Sequence, residues 1–200
     1  MKTRTLLLIP IALLFSNAAQ GQDWYWGFNY GMASPFQDTK EFTEGTSWRN
    51  VGMDVLAVVR PNTTVGLSFG WNVFNEITAA SDVSSLENID VGGTKFRYVN
   101  SFPMLLTVRQ FVGTRGGTRP FFGLGIGTQL VKQAVDVSVF RISEDTWHFA
   151  LAPEIGVTLP LRSDATWYLS AEYNYAVKSS DQTHSYLGLN IGVAWQTSGF

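Results

Sequence analysis

The chain has no cysteine, only two histidines, and 15% charged residues among its 200. Without cysteine, no disulfide can supply the stability of an exported domain, so strand pairing must carry the fold. Two histidines, His148 and His184, leave little from which to build a metal site or histidine-based catalysis, and no cofactor is expected. Cations are scarce as well: the formal net charge is -2, which argues against nucleic acid as a partner. No stretch of 18 consecutive apolar residues occurs, so no membrane helix is expected.

Against those absences stand 19 Gly, 7 Trp, 7 Tyr and 14 Phe, a composition that points to an all-β chain. At the N-terminus, Lys2 and Arg4 precede the apolar run Leu6 to Phe15, and small and polar residues follow to Ala19-Gln20-Gly21. This is the layout of a cleaved signal peptide over residues 1-21, with the cut after Gly21 and alternative cuts after Ala18 or Ala19. The run is too short to cross a bilayer as a helix. Loss of Lys2 and Arg4 takes the formal charge to -4.

From Trp24 onward no helical periodicity persists for three turns, whereas period-two alternation recurs eight times. The expected strands are Trp24 to Ala33, Trp48 to Arg60, Thr64 to Phe74, Lys95 to Val112, one from Phe121, Trp147 to Leu161, Trp167 to Val177, and Tyr186 to Gln196. The third alternates most cleanly, with Val65, Leu67, Phe69, Trp71 and Val73 against Gly66, Ser68, Gly70 and Asn72. In the fourth, Leu105 falls on the polar face. Past Leu130 the apolar parity switches to Val135, Val137 and Val139, which suggests a bulge or a strand leaving the membrane, continuing into a tall hairpin around Ser143-Glu144-Asp145. Connections at Pro61, at Gly113 to Arg119 and at Arg162 to Ala165 are short, while Ser34 to Ser47 and Asn75 to Thr94 are long. The pattern is that of an eight-stranded antiparallel up-and-down transmembrane β-barrel over residues 22-200, with short periplasmic turns and longer extracellular loops.

Alternation alone also fits a soluble sheet. Three features place the polar face inside and lipid outside. The polar face is rich in glycine, as the tight interior of a small barrel requires. Its charges are few and of both signs, namely Asp54, Arg97 or Arg109, Glu154 and Glu172, the composition of an internal ion-pair network in which Arg97 or Arg109 neutralises the acids. Aromatics on the apolar face gather at the strand ends as girdles: Trp24, Trp26, Phe122, Trp167 and Trp195 toward the turns, Trp71, Trp147, Phe149 and Tyr175 toward the loops.

The segment Phe102-Pro103-Met104-Leu105-Leu106-Thr107-Val108-Arg109-Gln110-Phe111, a basic turn, and Arg119-Pro120-Phe121-Phe122-Gly123-Leu124-Gly125-Ile126-Gly127 resembles the middle of the outer-membrane β-barrel domain family related to OmpA, OmpX and OmpW. The last strand, Leu187 to Trp195, is similar to the targeting signal read by the barrel assembly machinery, although four residues follow Trp195 before the final Phe200. The resemblance implies a Gram-negative outer membrane, with its lipids and lipopolysaccharide as surroundings and partners, and an extracellular ligand left open. The leading functional expectation is a non-enzymatic, structural or surface-binding protein. Two alternatives are a narrow conduit for small apolar molecules, suggested by the tall hairpin, and a lipid A-modifying enzyme using His184 and Ser185. The acidic loop residues, among them Asp38, Glu41, Glu44, Glu76, Asp82, Glu87 and Asp90, lack the ligand spacing of a calcium loop and read as solvated.

Overall fold

In the computed structural model, residues 23-43, 45-78, 95-137, 140-161, 164-179 and 182-197 are described. The expected signal peptide and most of the long loop around Asp82, Glu87 and Asp90 lie outside them. Eight strands form: β1 (Trp24–Phe36), β2 (Ser47–Arg60), β3 (Thr63–Thr78), β4 (Lys95–Phe111), β5 (Arg119–Val137), β6 (Phe140–Pro160), β7 (Ala165–Ser179) and β8 (Gln182–Thr197). Each pairs antiparallel with the next, and β1 pairs with β8 to close a barrel without edges. Closure satisfies the backbone groups that a membrane interior would otherwise leave unpaired. The strand ends at Trp24 and Thr197 are register partners, so both lie at the end that carries the short β2–β3, β4–β5 and β6–β7 turns.

The alternation expected from the sequence sets the facing. Phe28, Leu67, Leu106, Ile126, Leu169, Leu189 and Ile191 point outward, each roughly half exposed, while Ser68, Thr107, Gln129, Ser170 and Asn174 on the intervening positions are buried inside. Inward glycines make room for large neighbours. A Cβ on Gly192 would lie 2.4 Å from the Tyr168 ring, and one on Gly156 would lie 2.5 Å from Phe121. Leu105, the apolar residue on the polar face, packs inside against Ala150 and Ala152.

Three features depart from the sequence reading. First, β5 and β6 pair without interruption from Arg119↔Thr158 to Val137↔Phe140, so there is no bulge past Leu130. Ser143, Glu144 and Asp145 are strand residues opposite Ala134, Gln133 and Lys132, and the described pairing continues past them to Val137↔Phe140. Second, a short helix, α1 (Gln37–Phe42), follows β1 and leans on β8. Thr39 and Thr43 on it are buried, and Gln37 enters it with φ +50. Third, the pairing of β3 with β4 skips the residues around Pro103, and that of β6 with β7 skips those around Pro153. Proline has no N–H to give to a ladder, so each interrupts the wall where it sits.

Candidate functional site: the barrel interior and its membrane belts

Outward aromatics bracket the aliphatic band. Trp26, Phe122, Trp167 and Trp195 stand exposed toward the turns, with Trp24 partly covered; Trp71, Trp147 and Phe149 stand exposed toward the loops. Trp71 stacks on Phe102 at 6.1 Å. On β5, ten residues separate Phe122 from Lys132, where an ion pair with Asp145 (2.6 Å) marks the return to water. At about 3.3 Å per residue and a tilt near 40°, that run covers roughly 25 Å across the membrane, the height of a barrel's apolar band. Trp48, exposed beside the loop end of β2, belongs with the upper aromatics and was not assigned to a face from the sequence.

Inside, Arg109 on β4 is the centre of the charge network. Its Nε donates to Glu154 Oε2 at 2.6 Å and its Nη1 to Asp54 Oδ2 at 2.9 Å. A third bond, from Nη2, reaches Glu154 Oε1 at 3.3 Å. Asp54 also accepts from Ser68 Oγ (2.6 Å) and Tyr168 OH (3.3 Å), and Tyr168 in turn accepts from Asn29 Nδ2 (3.1 Å). The guanidinium lies between Phe121 and Tyr168, 5.5 and 5.8 Å from their ring centres. Charges withdrawn from water persist only when paired and hydrogen-bonded, and this geometry supplies both conditions for Asp54, Arg109 and Glu154.

Of the other two residues of the expected network, Arg97 sits apart and Glu172 lies beside the network outside its ion pairs. Arg97 lies near the loop end of β4, in register with Glu76, well removed along the strand from Arg109. Glu172 is the register partner of Glu154 and is hydrogen-bonded by Asn174 Nδ2; among the described residues no cationic side chain forms an ion pair with it. Of the two glutamates, Glu154 is the one in ion-pair contact with Arg109. Sequence reading also passed over Tyr168 and Tyr186, which lie inside on the same parity as Ser170 and Glu172, and as Gly188; that parity was the available signal.

Side chains fill the lumen in layers. Phe111, Phe121 and Tyr168 pack toward the turns with Arg119 4.6 Å over the Phe111 ring; Ala33, Phe74, Val99, Val131 and Tyr186 pack toward the loops. Two interior cavities, one beside Arg109 and Glu172 and one beside Tyr25 and Arg119, measure ≈ 30 Å³ each. Such a volume holds about two waters, not a diffusing solute.

At the loop end, α1 packs against β8. Thr39 Oγ1 accepts from the Ser185 backbone N–H at 3.1 Å and lies 3.3 Å from His184 Nδ1. Gln133 Nε2 is 3.1 Å from His184 Nε2, and the His148 ring stands edge-on to that of His184 at 5.1 Å. Ser185 Oγ donates toward Phe36 O and Gln37 Oε1 at 3.3 and 3.2 Å. Adjacent strand residues face opposite sides. His184 thus looks into the lumen while the Ser185 hydroxyl is engaged with the β1–α1 junction. Among the described residues, no three His, Cys, Asp or Glu side chains gather to hold a metal.

Closed wall, apolar exterior, aromatic belts and a packed polar interior define a small eight-stranded barrel of the outer-membrane type. Comparison with solved structures finds the same architecture. Ail, the attachment invasion locus protein of Yersinia pestis, superposes with a TM-score of 0.55 at 12% identity, covering 89% of this chain and 99% of that one. The N-terminal β-barrel domain of Pseudomonas aeruginosa OprF gives 0.52 at 14% identity over 89% and 100%. OprG, an outer membrane protein from Pseudomonas aeruginosa, gives 0.51 at 13% identity over 90% and 97%. No protein-family model and no curated protein sequence matches. At these identities the likeness is one of fold.

Proposed function

We propose that this protein is an integral outer-membrane barrel, exported by a signal peptide over residues 1-21, with a non-enzymatic role in stabilising the envelope or presenting its loops for binding. The observation that supports this most is the filled lumen: among the described residues the Arg109 network and the aromatic layers pack the interior, and the cavities beside Arg109 and beside Arg119 measure ≈ 30 Å³ each. A barrel so packed offers surface, not a path. Outer-membrane lipids and lipopolysaccharide are its surroundings in this reading, and the barrel assembly machinery inserts it. The separate placement of His184 and Ser185 gives a lipid-modifying mechanism no nucleophile held against its base. Purified protein in planar bilayers tests the proposal. The expected record is flat, with no stable open state; a large, long-lived conductance from the intact chain would overturn it.

A further inference from the structure

We propose that the barrel interior binds a small hard cation of the calcium type, held by the Glu172 carboxylate and the amide carbonyls of Asn174 and Asn72. All three residues line the ≈ 30 Å³ cavity that also borders Arg109 and Glu154. Asp54, Glu154 and Glu172 face this cavity against a single guanidinium, whose side-chain hydrogen bonds go to Asp54 and Glu154. With all three acids ionised, the four groups would carry two negative charges in excess. Glu172 stands directly across the strand pair from Glu154, a placement in which like charges repel.

A second observation is independent of charge. Asn174 Nδ2 donates to Glu172, and its Oδ1 has no protein donor. Asn72 Nδ2 donates to Tyr186 OH at 2.9 Å, and its Oδ1 likewise has no protein donor. Each asparagine is only 2% exposed. Acceptor oxygens withdrawn from solvent without a donor are destabilising unless a further group meets them. A cation supplies that group. Calcium takes six to eight oxygen ligands in flexible geometry and accepts carboxylates, amide carbonyls and water together. It also cancels the charge excess, which sodium would halve. Magnesium, with its strict octahedron and reluctance to shed water, suits a wall of amide carbonyls less well.

The test uses the mature chain refolded in detergent micelles after chelation. Its urea midpoint is followed by tryptophan fluorescence while CaCl2, MgCl2 or NaCl is added at matched ionic strength, and bound metal is counted after gel filtration. Calcium should raise the midpoint saturably and remain at one ion per chain. Glu172→Gln should abolish both effects, and Asn174→Ala or Asn72→Ala should weaken the calcium response by about ten-fold or more. Wild-type protein that ignores calcium, with Glu172→Gln at least as stable, would mean that Glu172 keeps a proton and water fills the cavity, and the proposal fails. A calcium response unchanged in Glu172→Gln places the ion elsewhere and also refutes it, as does an equal response to sodium. Should Glu172→Gln not fold, the asparagine variants carry the same decision.

Discussion

Arg109→Met is expected to cost the barrel about 3 to 5 kcal/mol, the usual penalty for removing one partner of a buried charge cluster. The structure sets the upper part of that range. Arg109 is 7% exposed and makes bonds of 2.6, 2.9 and 3.3 Å to two carboxylates. Without it, Asp54 keeps only Ser68 and Tyr168, and Glu154 loses both of its guanidinium contacts. A loss of about 4 kcal/mol is close to a thousand-fold in the folding equilibrium. Arg109→Lys retains charge but not the planar fork or the stacking between Phe121 and Tyr168, so it should cost about 1 to 3 kcal/mol. The combined Asp54→Asn, Arg109→Met, Glu154→Gln barrel strands no charge among these three paired residues and should recover to within about 2 kcal/mol of the original. Equilibrium urea unfolding in detergent micelles, followed by tryptophan fluorescence, measures all three. A loss below about 1 kcal/mol for Arg109→Met, or a triple variant no better than the single, would refute the reasoning.

Other consequences follow from the same geometry. Leu189→Arg on the lipid face should destabilise insertion into vesicles by about 2 to 4 kcal/mol, while Asn190→Ala, one residue on and facing inward, should be mild; equal effects would contradict the facing. Gly192→Ala places a methyl 2.4 Å from Tyr168 and 2.6 Å from the Phe28 carbonyl, so unfolding should show a loss of about 1 to 3 kcal/mol. Gly27→Ala, whose nearest contact would be 3.4 Å, is its tolerant control. Thr39→Val removes the acceptor of the Ser185 N–H and should loosen α1 by about 1 to 3 kcal/mol, read as faster hydrogen exchange at Ser185 with the barrel intact.

Where one physical rule governs a segment, the sequence is legible. Along β3, lipid on one side and a packed lumen on the other enforce strict alternation, and Val65 to Val73 fall where parity puts them. Arg109 and Glu154 were legible as interior charges for the same reason. Beyond Lys132 and Asp145 the outward face meets water, and lipid no longer selects apolar residues there. Continuous pairing excludes the bulge and leaves the other reading of the parity switch at Val135, a strand leaving the membrane, with Ser143 to Asp145 as strand residues of that hairpin. Helix α1 is six residues long, too short to show a period. Its position depends on contacts of Thr39 with His184 and Ser185, some 145 residues away in sequence. Which arginine meets which acid is likewise a matter of position along the strand, and parity alone left Arg97 and Arg109 equivalent.

The absence of cysteine makes the most direct test of the inside-out barrel simple to perform, because each introduced cysteine is the sole labelling site. Spin labels placed singly from Val65 to Gly70 in lipid vesicles report collision with oxygen, which concentrates in hydrocarbon. The account predicts period-two oscillation with maxima at Val65, Leu67 and Phe69 and minima at Gly66, Ser68 and Gly70. Maxima for a water-soluble relaxant at Gly66, Ser68 and Gly70, with the odd positions shielded from both probes, would make this a soluble barrel with an apolar core and contradict the account.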